Sequence, residues 1–263
     1  METVLLVSFA IVNVIVTAAF AGVVLMQYVQ RHRPHQLYWS LALGMAFVAT
    51  LAYVLMIPAQ PTSVLGIILF RIYYILGAAL TSAWLGLGSI ALVGSRRVTL
   101  ASLIALALVS VLAIISIATA GVDQHALSHV VGSSGRGVLQ LGAGVVTIII
   151  LNTAGVVAVV GVLLYSLWKL LRRQSSIRGL QTSNVFWGNI LILLGELLNA
   201  AAGSFARFMG LESTFWLFMA LGWIVFFCGV LLTGRRAARP APASTAPTTT
   251  GVPVSSSKQP ASS

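Results

Sequence analysis

Seven continuous apolar runs alternate with short polar loops along this chain. They extend from Val4 to Gln27, Leu37 to Ile57, Val64 to Val93, Val98 to Ala120, Val138 to Leu164, Val185 to Ala202 and Phe215 to Leu232. A hydrocarbon core about 30 Å thick is crossed by roughly 20 residues of α-helix, so each run is long enough or nearly so. Lipid offers no partner to a free backbone N–H or C=O, which leaves helices and closed barrels as the only spanning structures. Barrel strands alternate apolar and polar positions in segments of about ten residues, and these runs do not alternate. The pattern predicts an all-α, polytopic bundle of seven transmembrane helices over residues 1–237.

The loops add a direction. One set carries Arg31 and Arg33, then Arg96 and Arg97, then Lys169, Arg172, Arg173 and Arg178, and finally Arg235, Arg236 and Arg239. The opposite set carries only Arg136 and Arg207. Basic residues collect on the cytoplasmic side, so the N-terminus is expected outside and the C-terminus inside, which requires an odd number of spans. Ala19-Phe20-Ala21 imitates a signal-cleavage site. However, the stretch before the first run holds Glu2 and no basic side chain, the run is long, and Arg31 and Arg33 follow it. A retained first helix is therefore expected. Residues 238–263 are rich in Pro, Ala, Ser and Thr, a composition that predicts a disordered cytoplasmic tail.

Composition supports this picture and removes alternatives. Only 7% of residues are charged and 59% are hydrophobic, against about a quarter charged in soluble domains. The net charge of +11 is spread over short inter-span clusters, with no basic–aromatic face to track a nucleic-acid backbone. Nucleic acid is accordingly not an expected partner; the lipid bilayer is. The single cysteine, Cys228, lies in an apolar run and can form no intrachain disulfide. A multi-pass protein of a bacterial cytoplasmic (inner) membrane is the expectation.

Ionisable side chains inside a span are costly, at least ~2.5 kcal/mol at the bilayer centre, and draw attention to function. Arg71 in the third span and Glu196 in the sixth are the two. Counted along their helices their depths differ by about 5 Å, which an extended Arg can bridge. They are expected to pair or to line one polar cavity, with Tyr73, Tyr74, Asn199 and Asn152 at similar depth. Glu196 and Asn199, three residues apart, share a helix face. Asn13 and Asn189 read as amides bridging helices.

Asp123, His125 and His129 are the other constellation, with the imidazoles at i and i+4 in the longest external loop. Imidazole with carboxylate suits zinc or copper, making these three the candidate metal ligands, although no His-Glu-x-x-His pattern accompanies them. No span carries a histidine, so a bis-histidine haem has no ligands. His32 and His35 flank Pro34 in a basic turn, and Lys169, Arg172 and Arg173 beside Trp168 read as an interfacial extension on anionic lipid. Gly86 and Gly88, with Gly77, Ala78 and Ser82, read as points of close helix approach. The pairs Tyr38-Trp39 and Phe186-Trp187 open the second and sixth spans and suggest a three-one-three repeat, or equally two interface anchors.

Seven helices with an outside N-terminus resemble microbial rhodopsins and G-protein-coupled receptors. Retinal requires a lysine in the last helix, and the only lysines are Lys169 and Lys258. No acid stands in the third span as counterion either, so retinal is not expected, and receptor signatures are missing. The bacterial kinase input modules are similar only in span count. Arg71-Ile72-Tyr73-Tyr74 and Trp84-Leu85-Gly86-Leu87-Gly88, with Asn189, Gly195, Gly203 and Gly222, resemble uncharacterised bacterial seven-helix membrane proteins. That resemblance implies a fold and no activity.

The expected role is non-enzymatic: transport or sensing of a small molecule through a cavity near Arg71 and Glu196. An accessory subunit contacting another membrane protein comes second. An intramembrane enzyme comes last, because no catalytic pair, nucleophile–base set or metal triad assembles from these residues.

Overall fold

The structure is a computed structural model, and it describes residues 2–173, 180–209 and 214–234. Its elements are α1 (Glu2–Arg31), α2 (Pro34–Met56), α3 (Val64–Val93), α4 (Arg96–Thr119), β1 (Gly121–Val122) and α5 (Gln124–Ser128). There follow β2 (Leu139–Gln140), α6 (Gly144–Arg173), α7 (Leu180–Ser204) and α8 (Phe215–Gly234). All but α5 are long and apolar enough to cross a membrane, seven helices in total. The chain is an all-α, multi-pass membrane protein. Arg178, the arginines from Arg235 onward and the 238–263 tail lie outside the described residues.

Local chemistry sets several of the helix starts. Pro34 opens α2, where its missing N–H costs nothing. Ser63 caps α3 by accepting from the Gly66 N–H, and Ser95 caps α4 by accepting from Val98. The fifth apolar run starts its helix later than its hydropathy suggests. Gly137 and Gly142 take left-handed backbone (φ 80° and 50°), and Val138 lies buried in the loop with its carbonyl accepting from Asp123 N–H at 2.8 Å. Val138 and Leu139 are apolar because they bury in that loop, not because they meet lipid.

Six of the spanning helices close a ring in the order α1–α2–α3–α6–α7–α8, with α8 returning to α1. Helix α4 stands outside it, leaning on α3 and α6, and buries only Ser110, Ala113 and Ile117. Glycines hold two of the joints. A methyl on Gly155 would lie 2.3 Å from the Ser82 carbonyl oxygen, and one on Gly86 would lie 2.8 Å from Gly155 Cα, so α3 and α6 touch backbone to backbone. On α7, Gly188 and Gly195 face Gly229 and Gly222 of α8, each pair spaced by one heptad along its helix. Gly88 instead makes room for the Trp39 ring, whose Nε1 donates to the Leu85 carbonyl at 3.3 Å. Trp187 lies mostly exposed. The two aromatic–Trp pairs therefore do different work.

Amides tie neighbouring helices as their placement suggests. Asn13 Nδ2 donates to Thr50 Oγ1 across α1 and α2 at 3.3 Å, and Asn189 Nδ2 donates to Ser166 Oγ across α7 and α6 at 3.0 Å. Midway along α3, residues Tyr74–Leu80 widen into a π-helical segment. Thr81 Oγ1 donates to the Leu76 carbonyl at 2.7 Å, and Asn152 of α6 donates to the Ala78 carbonyl. Side chains thus take up carbonyls where the regular α ladder is interrupted, the arrangement that lets irregular backbone persist in lipid.

Candidate functional site

The ring holds a cavity of about 510 Å³, walled by α2, α3, α6, α7 and α8 and partly open to the surface, where Thr153, Val157 and Ser204 are exposed in its lining. Its position along α3 coincides with the π segment: Tyr73, Tyr74, Gly77, Ala78 and Thr81 all line it. Four of the polar residues grouped by sequence, Tyr73, Tyr74, Asn152 and Asn199, line it together with Glu196.

Glu196 is the centre of interest. It is 3% exposed and, among the described residues, has no hydrogen-bond or ion-pair partner. One turn further along α7, Asn199 has both amide atoms buried and without a partner among the described residues. The glycine seam fixes their level: Gly195 packs against the backbone of Gly222 and Phe226, and Asn199 lies against Gly222. Trp223, buried and also lining the cavity, therefore shares the stretch of α8 that faces Glu196. Asn152 is different, because its Nδ2 already serves the carbonyls of Ala78 and Ile148.

Arg71 lies elsewhere. Its Nη2 donates to the Ala120 carbonyl at 3.0 Å, just past the end of α4, and it is not among the residues lining the cavity. No ion pair joins it to Glu196 among the described residues. Depth along the membrane normal brings two residues level, but the rotation of each helix decides where its side chain goes. The rotation of α3 sends Arg71 to α4, outside the ring. Arg136 lines the cavity instead. Its only mark in the sequence is being one of two basic residues on the charge-poor side. The side chain of the other, Arg207, lies outside the described residues.

Arg136 belongs to a built cap. Between α4 and α6 the chain pairs β1 antiparallel with β2, Gly121 opposite Gln140, and the loop between them folds down onto the bundle. Three aromatic side chains from three helices fasten it. Tyr53 of α2 donates to the Val130 carbonyl at 3.0 Å and accepts from the Gly132 N–H at 2.8 Å. Tyr73 of α3 donates to the Ser134 carbonyl at 3.1 Å, and Trp216 of α8 donates to the Ser133 carbonyl at 3.2 Å. The three rings also pack on one another, with Tyr53 and Trp216 centroids 4.4 Å apart. Gly132 and Gly135 hold positive φ of 87° and 77°. A side chain at Gly135 would also strike the Phe70 ring at 2.5 Å, so only glycine gives the loop this descent. Ser134 and Arg136 line the cavity from this cap.

The candidate metal ligands are in the cap but do not converge. Asp123 Oδ1 accepts from the N–H groups of His125 and Ala126 at 2.9 and 3.0 Å, the work of a helix N-cap. The His125 and His129 rings lie tilted with centroids 4.9 Å apart, and His129 Nδ1 lies 3.0 Å from the His125 carbonyl. Among the described residues, no three His, Cys, Asp or Glu side chains group to hold a metal ion. At the opposite end, Lys169 lies over Tyr165 and the Arg172 guanidinium 4.1 Å from the Trp168 ring, all on the outer surface of α6. No protein-family model, curated protein or solved structure matches this chain.

Proposed function

We propose that this protein binds a small molecule in the cavity within its helix ring, as a transporter or as a ligand sensor. The observation that carries this reading is Glu196, a carboxyl lodged in a 510 Å³ cavity without a protein partner among the described residues. A buried ionisable group with nothing to satisfy it is expensive, and intramembrane acids are kept where a substrate or ion passes. The volume suits a small organic molecule, and polar groups on apolar walls are the usual make-up of such sites. With the basic loops in the cytoplasm, the cap and the cavity beneath it face the outside.

Purified protein screened against a solute panel by thermal shift, in wild type and Glu196→Gln, tests this reading. A solute that raises the wild-type Tm and leaves the variant unmoved is the expected result. Uptake into reconstituted vesicles then separates transporter from sensor. A panel that shifts neither form, with the cavity inaccessible to water-borne reagents, removes the reading. Helix α4 supports a second one, an accessory subunit docked through its outward face, because that helix is left outside the ring.

A further inference from the structure

The groups around Glu196 also narrow the chemistry of the occupant, provided the cavity is a binding site as proposed above. On α7 the carboxyl of Glu196 presents acceptors there, with no partner among the described residues, whereas the Asn199 amide is sealed against Gly222 of α8. A carboxyl looks for N–H donors and for positive charge. Nearby walls are aromatic: Trp223 at the level of Glu196, and Trp216 seven residues nearer the cap, about 10 Å away at 1.5 Å per residue. Indole faces attract cations and bury an apolar body equally well.

The one cavity-lining cation among the described residues, Arg136, sits in the cap, and it already engages another group of the chain. It does not supply Glu196 with a counter-charge. A bare metal ion would leave most of the 510 Å³ and its indole walls without use. A quaternary ammonium would bring charge but no N–H for the Glu196 carboxyl. We propose that the cavity takes a primary ammonium compound with an aromatic or aliphatic body. Its N–H donors lie on Glu196, and its body lies against Trp223 and Trp216.

A matched set of probes tests this on the full chain in detergent: 2-phenylethylamine, its N,N,N-trimethyl analogue, 2-phenylethanol and 3-phenylpropionate, with sodium chloride against choline chloride as background. The amine is expected to bind at least tenfold more tightly than the other three by calorimetry. Glu196→Gln is expected to erase that preference, the advantage over the quaternary amine included. Tighter binding of 3-phenylpropionate, or stabilisation by sodium alone, overturns the ammonium assignment and leaves the cavity reading standing.

A separate probe keeps the two ideas apart. Ala200→Cys in a Cys228→Ala background places one thiol on the cavity wall. Labelling of that thiol by a small water-borne methanethiosulfonate, slowed by the amine, supports both ideas. Labelling that none of the probes slows overturns the ammonium assignment alone. No labelling at all overturns the cavity reading and the assignment with it.

Discussion

At the scale of single residues, the bundle is most sensitive where backbone meets backbone. Gly155 has the Ser82 carbonyl where its side chain would be, and Gly86 has Gly155 itself. Gly155→Val must push α3 and α6 apart, and overpacking of this kind costs ~1–3 kcal/mol. A lower Tm in detergent is expected for Gly155→Val, whereas Gly161→Ala, with open space around it, should leave Tm unchanged. Asn152 offers a polar counterpart. Replacing it with Leu strips the Ala78 carbonyl of its donor inside the membrane, a loss of about 1–3 kcal/mol for a buried group left unpaired. Equal thermal stability of Asn152→Leu and wild type would mean that the π segment satisfies itself.

The same scale shows why Arg71 and Glu196 were legible as unusual but not as unconnected. Apolar runs report depth, because each residue advances a helix by a fixed rise. They do not report how a nearly all-apolar helix is rotated, since no polar face marks its inner side. Arg71 shows its role only once Ala120 is seen beside it. Glu196 and Asn199 kept their sequence grouping because both sit on one helix, where spacing alone fixes the shared face.

Among the elements, the spanning helices were readable and the cap was not. Seven runs became seven helices because the hydrocarbon demands internal hydrogen bonding of each. The cap depends on contacts between residues far apart in the chain, Tyr53 with Val130 and Trp216 with Ser133, which no local pattern announces. The positive φ values of its glycines make them the means of a fixed descent. Trp216→Phe keeps the ring and removes one fastening. Faster hydrogen exchange over residues 130–136, together with faster thiol labelling at Ala200→Cys, is the expected outcome. Unchanged exchange would show that ring packing alone holds the cap.

For the whole molecule, orientation is the first thing to check. The charge bias expects a cysteine at Ala126 to be labelled by an impermeant maleimide in intact cells, and one at Lys169 only after permeabilisation. The opposite result would turn the cap and the cavity toward the cytoplasm. The position of α4 matters on this scale too, since a helix outside the ring can tolerate substitutions on its lipid face that ring helices cannot. Leu108→Ala and Leu112→Ala, both exposed, are expected to leave Tm within a degree or two of wild type unless a partner covers them.

The heptad-spaced glycines between α7 and α8 have a mechanical consequence. Two helices in contact along their backbones slide or splay only by breaking many close contacts together, so they move as one lever. Among the described residues the ring's slightest joint is between α6 and α7, beside the wall that carries Glu196. Strain applied to this molecule is therefore relieved at that seam, with the α7–α8 lever swinging away from α6. The carboxyl of Glu196 rides on the moving arm, so any swing large enough to admit or release a guest also changes what the guest is holding.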